Sequence, residues 1–350
     1  MNTTNGTSPV TKFILLGFPS LGRLSRTLLC ALLSSAYAGT VAGNLSIMWA
    51  VLWDPRLQLL PMYILLGNFA WVEIVYVTTT VPRMLFDLMN PGSPISFLDC
   101  FVQFYVFFSM GATECFLLST MALDRYLAIC HPLHYPVLMS PQIFWVLVAS
   151  CWLVSFLWFM MPIALISQLS FCGTNTLDHF VCDPDPLLAA SCASAPWTEQ
   201  TFSTTTSLII FGTVLFILTS YGLIIRAVLR LPAGAGRQKA FSTCTSHLAV
   251  VGLFYGSIMV TYVNPAASGS SGKVVTLFYT VGTPFLNPLI YSLRNKEMKE
   301  ALRRTLLGGG GRVLVPFYRD WPVSGVGNRA FPHQGMQAPI LKAEHTQPFA

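Results

Sequence analysis

Charged residues are scarce in this chain of 350 residues, because Asp, Glu, Lys and Arg make up only 10% of it, against roughly 25% in soluble proteins. Hydrophobic residues make up 53%, and the mean hydropathy is +0.60. This composition excludes two ordinary soluble domains, which the length alone would allow, and predicts a protein that crosses a membrane several times. The net charge of +6 requires no nucleic-acid partner, and none is expected.

Several patterns that carry chemistry are also missing. The chain has no Cys-x-x-Cys or His-x-x-x-His pair, which disfavours a structural zinc site. It shows no nucleophile–base set, so an integral-membrane enzyme is not expected. A transporter would show two related halves, and no internal repeat is present. Met1–Gly22 lacks the positive region and cleavage site of a signal peptide, so the first span is expected to direct its own insertion.

Seven apolar runs remain, each near the roughly 20 residues that a helix needs to cross a bilayer. Their bounds are Arg26–Leu52, Pro61–Leu88, Leu98–Leu123, Ile143–Ile166, Phe202–Leu229, Ala240–Tyr262 and Val274–Leu293. They predict an all-α seven-transmembrane helix bundle. The predicted organisation is an extracellular segment over 1–25, the bundle over 26–293, an amphipathic juxtamembrane helix over 294–307 that lies on lipid, and a disordered cytoplasmic tail over 308–350.

The flanking charges predict the orientation of the bundle. With the N-terminus outside, eleven Lys and Arg residues flank the spans on the cytoplasmic side and five on the outer side, as the positive-inside rule requires. Glycosylation sequons begin at Asn2 and Asn5, which also favours an extracellular N-terminus. A third sequon, at Asn44, lies inside an apolar run and is expected to be unreachable.

An acid and a base, Asp124 and Arg125, lie side by side at the predicted end of the third span. Ionisable groups near hydrocarbon are costly and tend to be paired or functional. The arginine can fold back to its own aspartate or reach another helix, as a switch would. The other interpretation is a charge pair that sets helix depth by snorkelling.

Three long stretches carry a family resemblance. Met121–Pro136 reads Met-Ala-Leu-Asp-Arg-Tyr-Leu-Ala-Ile-Cys-His-Pro-Leu-His-Tyr-Pro, Lys239–His247 reads Lys-Ala-Phe-Ser-Thr-Cys-Thr-Ser-His, and Pro284–Lys296 reads Pro-Phe-Leu-Asn-Pro-Leu-Ile-Tyr-Ser-Leu-Arg-Asn-Lys. They resemble the third-, sixth- and seventh-helix signatures of the odorant (olfactory) receptors, a rhodopsin-like branch of the G-protein-coupled receptors. The resemblance covers roughly Phe13 to Leu307.

The resemblance implies a plasma-membrane receptor that binds a small odorant and activates a stimulatory, olfactory-type heterotrimeric G protein, which raises cyclic AMP. The chain departs from the family pattern at Leu57–Tyr63, which lacks a histidine and carries an extra residue, and its tail is longer than is usual. These departures keep an alternative open, namely a non-coupling or decoy seven-helix receptor.

Four cysteines fall on the predicted outer side: Cys100, Cys172, Cys182 and Cys192. Four cysteines allow three disulfide connectivities. The resemblance implies Cys100 with Cys182 and Cys172 with Cys192, which would hold the long loop at about Ser167–Thr201 as a lid.

Two acids, Glu73 and Glu114, are predicted to be buried in the second and third spans with no basic residue at their depth. A lone buried carboxylate takes up a proton or finds a cation. The resemblance implies that they face each other and form a sodium pocket. The alternative is two protonated, hydrogen-bonded acids with no cofactor, and both interpretations stay open.

The resemblance also implies an activation switch formed by Asp124, Arg125, Tyr126, Tyr221, Asn287, Pro288 and Tyr291. Pro288 removes a helical hydrogen bond, and Asn287 can bond the freed backbone or Glu73. Tyr221 and Tyr291 are expected to reach Arg125 when the cytoplasmic helix ends separate. Three histidines at these ends, His131, His134 and His247, are expected to be solvated or to cap helices.

The ligand is expected between the helices, where pockets are mostly apolar with a few polar groups. The positions that correspond to ligand-facing positions of the family are Phe107, Phe108, Gly111, Ala112, Thr205, Thr206, Ile209, Tyr255, Ile258, Met259 and Tyr262. No Asp lies on the ligand side of the third span, so a mostly neutral volatile ligand is expected rather than an amine. For each residue, simple helix packing is the alternative.

Overall fold

The computed structural model describes residues 10–172, 175–230, 234–263 and 270–307. The sequons at Asn2 and Asn5 and the predicted tail over 308–350 lie outside these ranges. Within them the chain forms, in order, β1 (Lys12–Leu15), α1 (Arg23–Trp53), α2 (Pro55–Gln58), α3 (Pro61–Met89), β2 (Pro94–Ser96), α4 (Phe97–Cys130), α5 (Tyr135–Leu138), α6 (Pro141–Ser167), β3 (Thr176–Leu177), α7 (Pro184–Ala189), α8 (Pro196–Leu229), α9 (Ala235–Val263), α10 (Ser270–Leu277), a π-helical turn (Phe278–Gly282), α11 (Thr283–Arg294) and α12 (Lys296–Leu307).

The long helices are apolar enough to cross a membrane. Among the described residues, six helical segments meet this criterion by length and composition: α1, α3, α4, α6, α8 and the stretch Gly272–Ser292. In α9, a shorter apolar segment spans Cys244–Met259. With a rise of about 1.5 Å per residue, such helices reach across the roughly 30 Å of hydrocarbon. The chain is therefore a multi-pass membrane protein with the predicted all-α bundle.

The third helix is longer than the predicted span, because α4 continues beyond Leu123 to Cys130. Asp124 and Arg125 lie inside this helix and pair with each other, so their charges do not end it. The helix stops where Pro132 excludes helical geometry for the residue before it.

The other helices also differ from the predicted spans by a few residues at their ends. α8 begins at Pro196 rather than Phe202, because proline fits the first turn of a helix. The seventh span is helical throughout but not regular, since the π-helical turn Phe278–Gly282 lies between α10 and α11. Pro284, in the first turn of α11, has no N–H to donate to the turn before it, which disturbs the regular hydrogen bonding there.

α4 is the central helix of the bundle. It packs against α3, α6, α8 and α9, and its side chains Phe104, Leu117, Leu118 and Met121 are fully buried. α1 packs against α3 and α11 at the edge. Small residues allow helix backbones to approach closely in a membrane, and α1 presents Gly39 to Phe285 and Gly43 to Pro288.

Gly43→Ala is expected to destabilise the receptor, because an added Cβ would lie 2.9 Å from Cβ of Pro288, whose ring cannot rotate away. Overpacking of this kind costs about 1–3 kcal/mol. The thermal unfolding temperature of the purified receptor should fall. Gly212→Ala in α8 is the matched control, since no atom lies within 4 Å of its added Cβ and alanine is the better helix former. Equal unfolding temperatures for the two variants would contradict this close packing.

A small sheet covers one end of the bundle. β1 pairs antiparallel with β2 and parallel with β3, in the order β2-β1-β3. Two disulfides, Cys100–Cys182 and Cys172–Cys192, lie at the same end. We call this the disulfide end and the opposite end, where α4 carries Arg125, the Arg125 end.

Candidate functional site

Arg125 is held by its own neighbour in the structure. Its Nε and Nη2 donate to Oδ2 of Asp124 at 3.0 and 2.6 Å. The other carboxylate oxygen, Oδ1, accepts a 2.7 Å hydrogen bond from the hydroxyl of Tyr135 in α5. Asp124 is fully buried, and Arg125 is only 13% exposed. Sequence reasoning missed Tyr135, although the turn at Pro132 in the same stretch returns the chain toward α4.

The two tyrosines expected to reach Arg125, Tyr221 and Tyr291, form no hydrogen bond with it among the described residues. The hydroxyl of Tyr221 lies 2.6 Å from Nδ1 of His247, and the buried hydroxyl of Tyr291 has no hydrogen-bond partner among the described residues. The expectation that His247 is solvated or caps a helix is wrong, because this side chain is buried between α8 and α9. Tyr126 makes a local contact with Nε2 of His131, at 3.1 Å.

Glu73 and Glu114 lie buried in the middle of the bundle, as predicted. Asn287 of α11 donates from Nδ2 to Oε1 of Glu73, one of the two partners that the sequence allowed for it. Three buried oxygens, Oε2 of Glu73, Oε1 of Glu114 and Oδ1 of Asn287, have no hydrogen-bond partner in the described part of the chain.

These oxygens fit the ligand preference of a hard cation, which takes carboxylate and amide oxygens. The same oxygens are also compatible with two protonated carboxyl groups, since each protonated carboxyl group needs a hydrogen-bond acceptor. Pro288 follows Asn287 inside α11, so the helix is locally weakened beside these groups.

Aromatic side chains fill much of the predicted ligand region. Phe107 stacks on Tyr76 of α3, with ring centroids 4.7 Å apart. Phe108 contacts Phe159 of α6 and Phe202 of α8, at 5.5 and 5.0 Å. The two phenylalanines therefore join α4 to three neighbouring helices.

The polar pocket positions differ in their environments. Thr206 is buried, and its hydroxyl has no partner within the described residues. The hydroxyl of Tyr255 donates to Oγ1 of Thr213 at 2.8 Å. Thr205 instead lies at the contact of α6 with α8, where its carbonyl accepts from Nε1 of Trp158 at 3.1 Å.

The other predicted pocket positions are buried or half-buried in α4, α8 and α9: Gly111, Ala112, Ile209, Ile258 and Met259. The side chain of Tyr262 lies outside the described residues. Thr206 lies one helical turn after Phe202 in α8, and the ring of Phe202 contacts Phe108 of α4.

The long loop before α8 is tied to the bundle near this region. The cysteines pair as the resemblance implies, Cys100 with Cys182 and Cys172 with Cys192. Gln103 adds a second tie, because its Oε1 accepts from the backbone N–H of Cys182 and its Nε2 donates to the carbonyl of Thr79, each at 3.0 Å. In the sequence, Gln103 stands out only as a polar residue within an apolar run. Its hydrogen-bond partners could not be predicted from that position alone.

The same loop carries perturbed ionisable groups. Burial, together with the positive charge of Lys273, lowers the pKa of His179 to about 4, and its ring lies on Phe180. Lys273 forms a 2.6 Å ion pair with Asp178. Burial raises the pKa of Asp183 to about 7. Both shifts favour the uncharged form of the side chain.

At the Arg125 end, the unusual first loop is packed against α12. Asp54 pairs with Arg304 at 2.7 Å and accepts from the backbone N–H of Arg56. The hydroxyl of Tyr63 donates to Oε2 of Glu297 at 2.7 Å. Leu57, inside the altered stretch, is buried. Of the altered stretch Leu57–Tyr63, the first two residues lie in α2 and the last three begin α3.

Comparisons with known proteins agree with this architecture. The sequence profile of the family described as "Olfactory receptor" matches residues 33–308. Human olfactory receptor 11H6 is 56% identical over 299 residues, which cover 85% of this chain and 90% of that receptor. Human olfactory receptor 11G2 is 54% identical over 305 residues, covering 87% and 88%.

Among solved structures, the crystal structure of squid rhodopsin superposes with a TM-score of 0.66 and 18% sequence identity. The match covers 82% of this chain and 87% of the rhodopsin chain. It supports the seven-helix receptor fold.

Proposed function

Because the chain belongs to the olfactory receptor family and has the fold of G-protein-coupled receptors, we propose that it binds a small, mostly neutral volatile odorant and activates a stimulatory, olfactory-type heterotrimeric G protein. It is a signalling receptor and not an enzyme. One observation carries the coupling proposal: Arg125 is held by Asp124 within the part of the bundle where a partner would bind.

The orientation we propose has the N-terminus and the disulfide end outside, the Arg125 end in the cytoplasm, and the receptor in the plasma membrane. Disulfides persist in oxidising surroundings, which favours the outer side for the disulfide end. The excess of Lys and Arg at the Arg125 end favours the cytoplasm for that end.

The ligand is proposed to bind among α4, α8 and α9, below the loop tied by Cys100–Cys182. The aromatic walls formed by Phe107 and Phe108 offer apolar contact, and the unpartnered hydroxyl of Thr206 offers one hydrogen bond. A mostly neutral molecule with a carbonyl or hydroxyl group would satisfy both.

The switch is proposed to be in its resting arrangement in this structure. Asp124 neutralises Arg125, and Tyr221 is engaged with His247 instead of Arg125. Activation would exchange these contacts for Tyr221, Tyr291 and the backbone carbonyls of the G protein. Odorant and G protein would then favour the same helix arrangement and so favour each other's binding.

Ligand-stimulated cyclic AMP accumulation, measured against an odorant panel with surface staining, tests this function. At least one odorant should raise cyclic AMP above the response of cells that lack the receptor. Surface-expressed receptor that binds an odorant without a cyclic AMP response would identify the alternative, a non-coupling or decoy receptor. The ion pair between Asp54 and Arg304 favours a working receptor, because the altered first loop is still anchored to α12.

We further propose that Glu73 and Glu114 hold a sodium ion, with a protonated pair and no cofactor as the alternative. Glu73→Gln and Glu114→Gln are each expected to change the sodium sensitivity of agonist binding, since each removes one charge from a cation with two carboxylate ligands. Agonist affinity should be measured in sodium and in a bulky organic cation.

Glu199→Gln is the control for these variants, because Glu199 is exposed in the first turn of α8. Unchanged sodium dependence in both buried-site variants would overturn the sodium site and leave the protonated pair.

A further inference from the structure

A cavity lies at the disulfide end, apart from the predicted odorant positions. Its volume is about 180 Å³, and none of the pocket positions inferred from the sequence lines it. The walls come from α1 (Leu29, Leu33), α3 (Met84, Leu88), α10 (Leu277) and the loop residue Phe180. An apolar cavity of roughly this size accommodates a molecule such as benzene. The space therefore suits a small organic molecule with an apolar body.

One cation, Arg26, also lines this cavity. Its Nη2 donates to the carbonyl of Leu21 at 3.3 Å, and it forms no ion pair with any described residue. Asp87 reaches the cavity too, but it is bound by Arg83 at 2.8 Å, which offsets its charge. The polar end of the cavity thus has an available guanidinium group, which binds carboxylates with two parallel hydrogen bonds.

The roof of the cavity is held in place by contacts of its own. Gly17 adopts a φ of +54°, which turns the N-terminal segment over the opening. Phe18 stacks on Phe180 with ring centroids 5.9 Å apart. Lys273 donates to the carbonyl of Gly17 at 2.8 Å and pairs with Asp178. The site is therefore formed before any ligand binds.

We propose that this cavity is a second binding site, which takes a small carboxylic acid with a short apolar tail of about six to eight non-hydrogen atoms. The carboxylate binds Arg26, and the tail lies against the leucines of α1 and α3. A membrane lipid offers a similar anionic group, but a volume of about 180 Å³ is too small for its acyl chains. The site is distinct from the proposed odorant site, which has no free cation among its described residues.

Direct binding of hexanoate to the purified full-length receptor tests the proposal, with hexanol and hexylamine as probes of the same length. The receptor is placed in nanodiscs of zwitterionic lipid, and saturation-transfer NMR gives the affinities. Hexanoate should bind more tightly than hexanol or hexylamine. In Arg26→Gln its affinity should fall about tenfold or more, while hexanol binding stays unchanged.

Arg23→Gln is the matched control, because Arg23 is exposed on the same helix and does not line the cavity; it should bind hexanoate normally. Leu33→Trp fills the cavity and should weaken hexanoate and hexanol alike, with unfolding temperatures confirming that the variants are folded. Equal hexanoate affinity in wild type and Arg26→Gln would overturn the proposal, as would equal losses in Arg26→Gln and Arg23→Gln. So would a phospholipid that is retained by wild type and absent from Arg26→Gln on mass spectrometry. Because the readout needs no G protein, this test and that of the proposed function fail independently.

Discussion

Arg125→Ala is expected to lose most odorant-driven signalling while the receptor still reaches the surface and binds its odorant. In the structure the guanidinium group is neutralised by Asp124, and Tyr135 holds the other oxygen of that carboxylate. On activation the same group would bind Tyr221, Tyr291 and carbonyls of the G protein. Each such charge-assisted hydrogen bond contributes roughly 1.5–3 kcal/mol, so its loss shifts a two-state equilibrium by about tenfold or more.

The experiment compares cyclic AMP responses at matched surface levels, with odorant affinity measured separately. Asp124→Asn should raise the basal response, since it frees the arginine. Arg23→Ala, an exposed arginine at the disulfide end, is the control and should signal normally. Normal signalling by Arg125→Ala would show that the charge pair only sets the depth of α4 in the membrane. The switch would then be removed from the proposed mechanism.

Cys100→Ser is expected to abolish surface expression or the odorant response. The Cys100–Cys182 bond closes a loop with a sequence separation of 82 residues and holds the lid on α4. Removing a native disulfide typically costs about 2–5 kcal/mol, and the single backbone hydrogen bond to Gln103 is too weak to replace it. The double variant Cys100→Ser/Cys182→Ser should be no worse than either single variant, because both lose the same bond.

Surface staining and the cyclic AMP response measure this effect. Cys30→Ser is the matched control, since Cys30 is a free, half-buried cysteine of α1. A full response from Cys100→Ser would show that the lid does not depend on the disulfide.

The sequence predicted the architecture because each membrane-spanning helix requires a long apolar run, and because three long motifs resemble those of one family. It also allowed the contact of Asn287 with Glu73, since both are polar groups that need a partner in an apolar bundle. The disulfide pairing came from the resemblance alone, as four cysteines permit three pairings.

Other contacts could not be predicted, because they join residues far apart in the chain. Nothing near His247 indicates that Tyr221 lies 2.6 Å from its ring. Lys273 is one of the five basic residues that the sequence places on the outer side, but the sequence gives no sign that it binds both the carbonyl of Gly17 and the carboxylate of Asp178. The π-helical turn before α11 depends on how Pro284 is accommodated by its neighbours, which local propensity does not determine.

The unusual first loop shows that a sequence pattern can also raise a doubt that only the contacts in the structure address. Its missing histidine and extra residue raised doubt about coupling, because the sequence alone compares it only with the family pattern. In the structure Leu57 is buried and Asp54 pairs with Arg304 of α12. Tyr63, also in the altered stretch, donates to Glu297 of α12, so the stretch keeps contact with the neighbouring helix.

The affinity of an identified odorant, measured with and without nucleotide-free stimulatory G protein, tests the proposed coupling most directly. If odorant and G protein favour one helix arrangement, each must raise the affinity for the other by the same factor, typically about 5- to 150-fold. The proposal predicts tighter odorant binding when the G protein is present, and no such gain in Arg125→Ala. An odorant affinity that is the same with and without the G protein would contradict it.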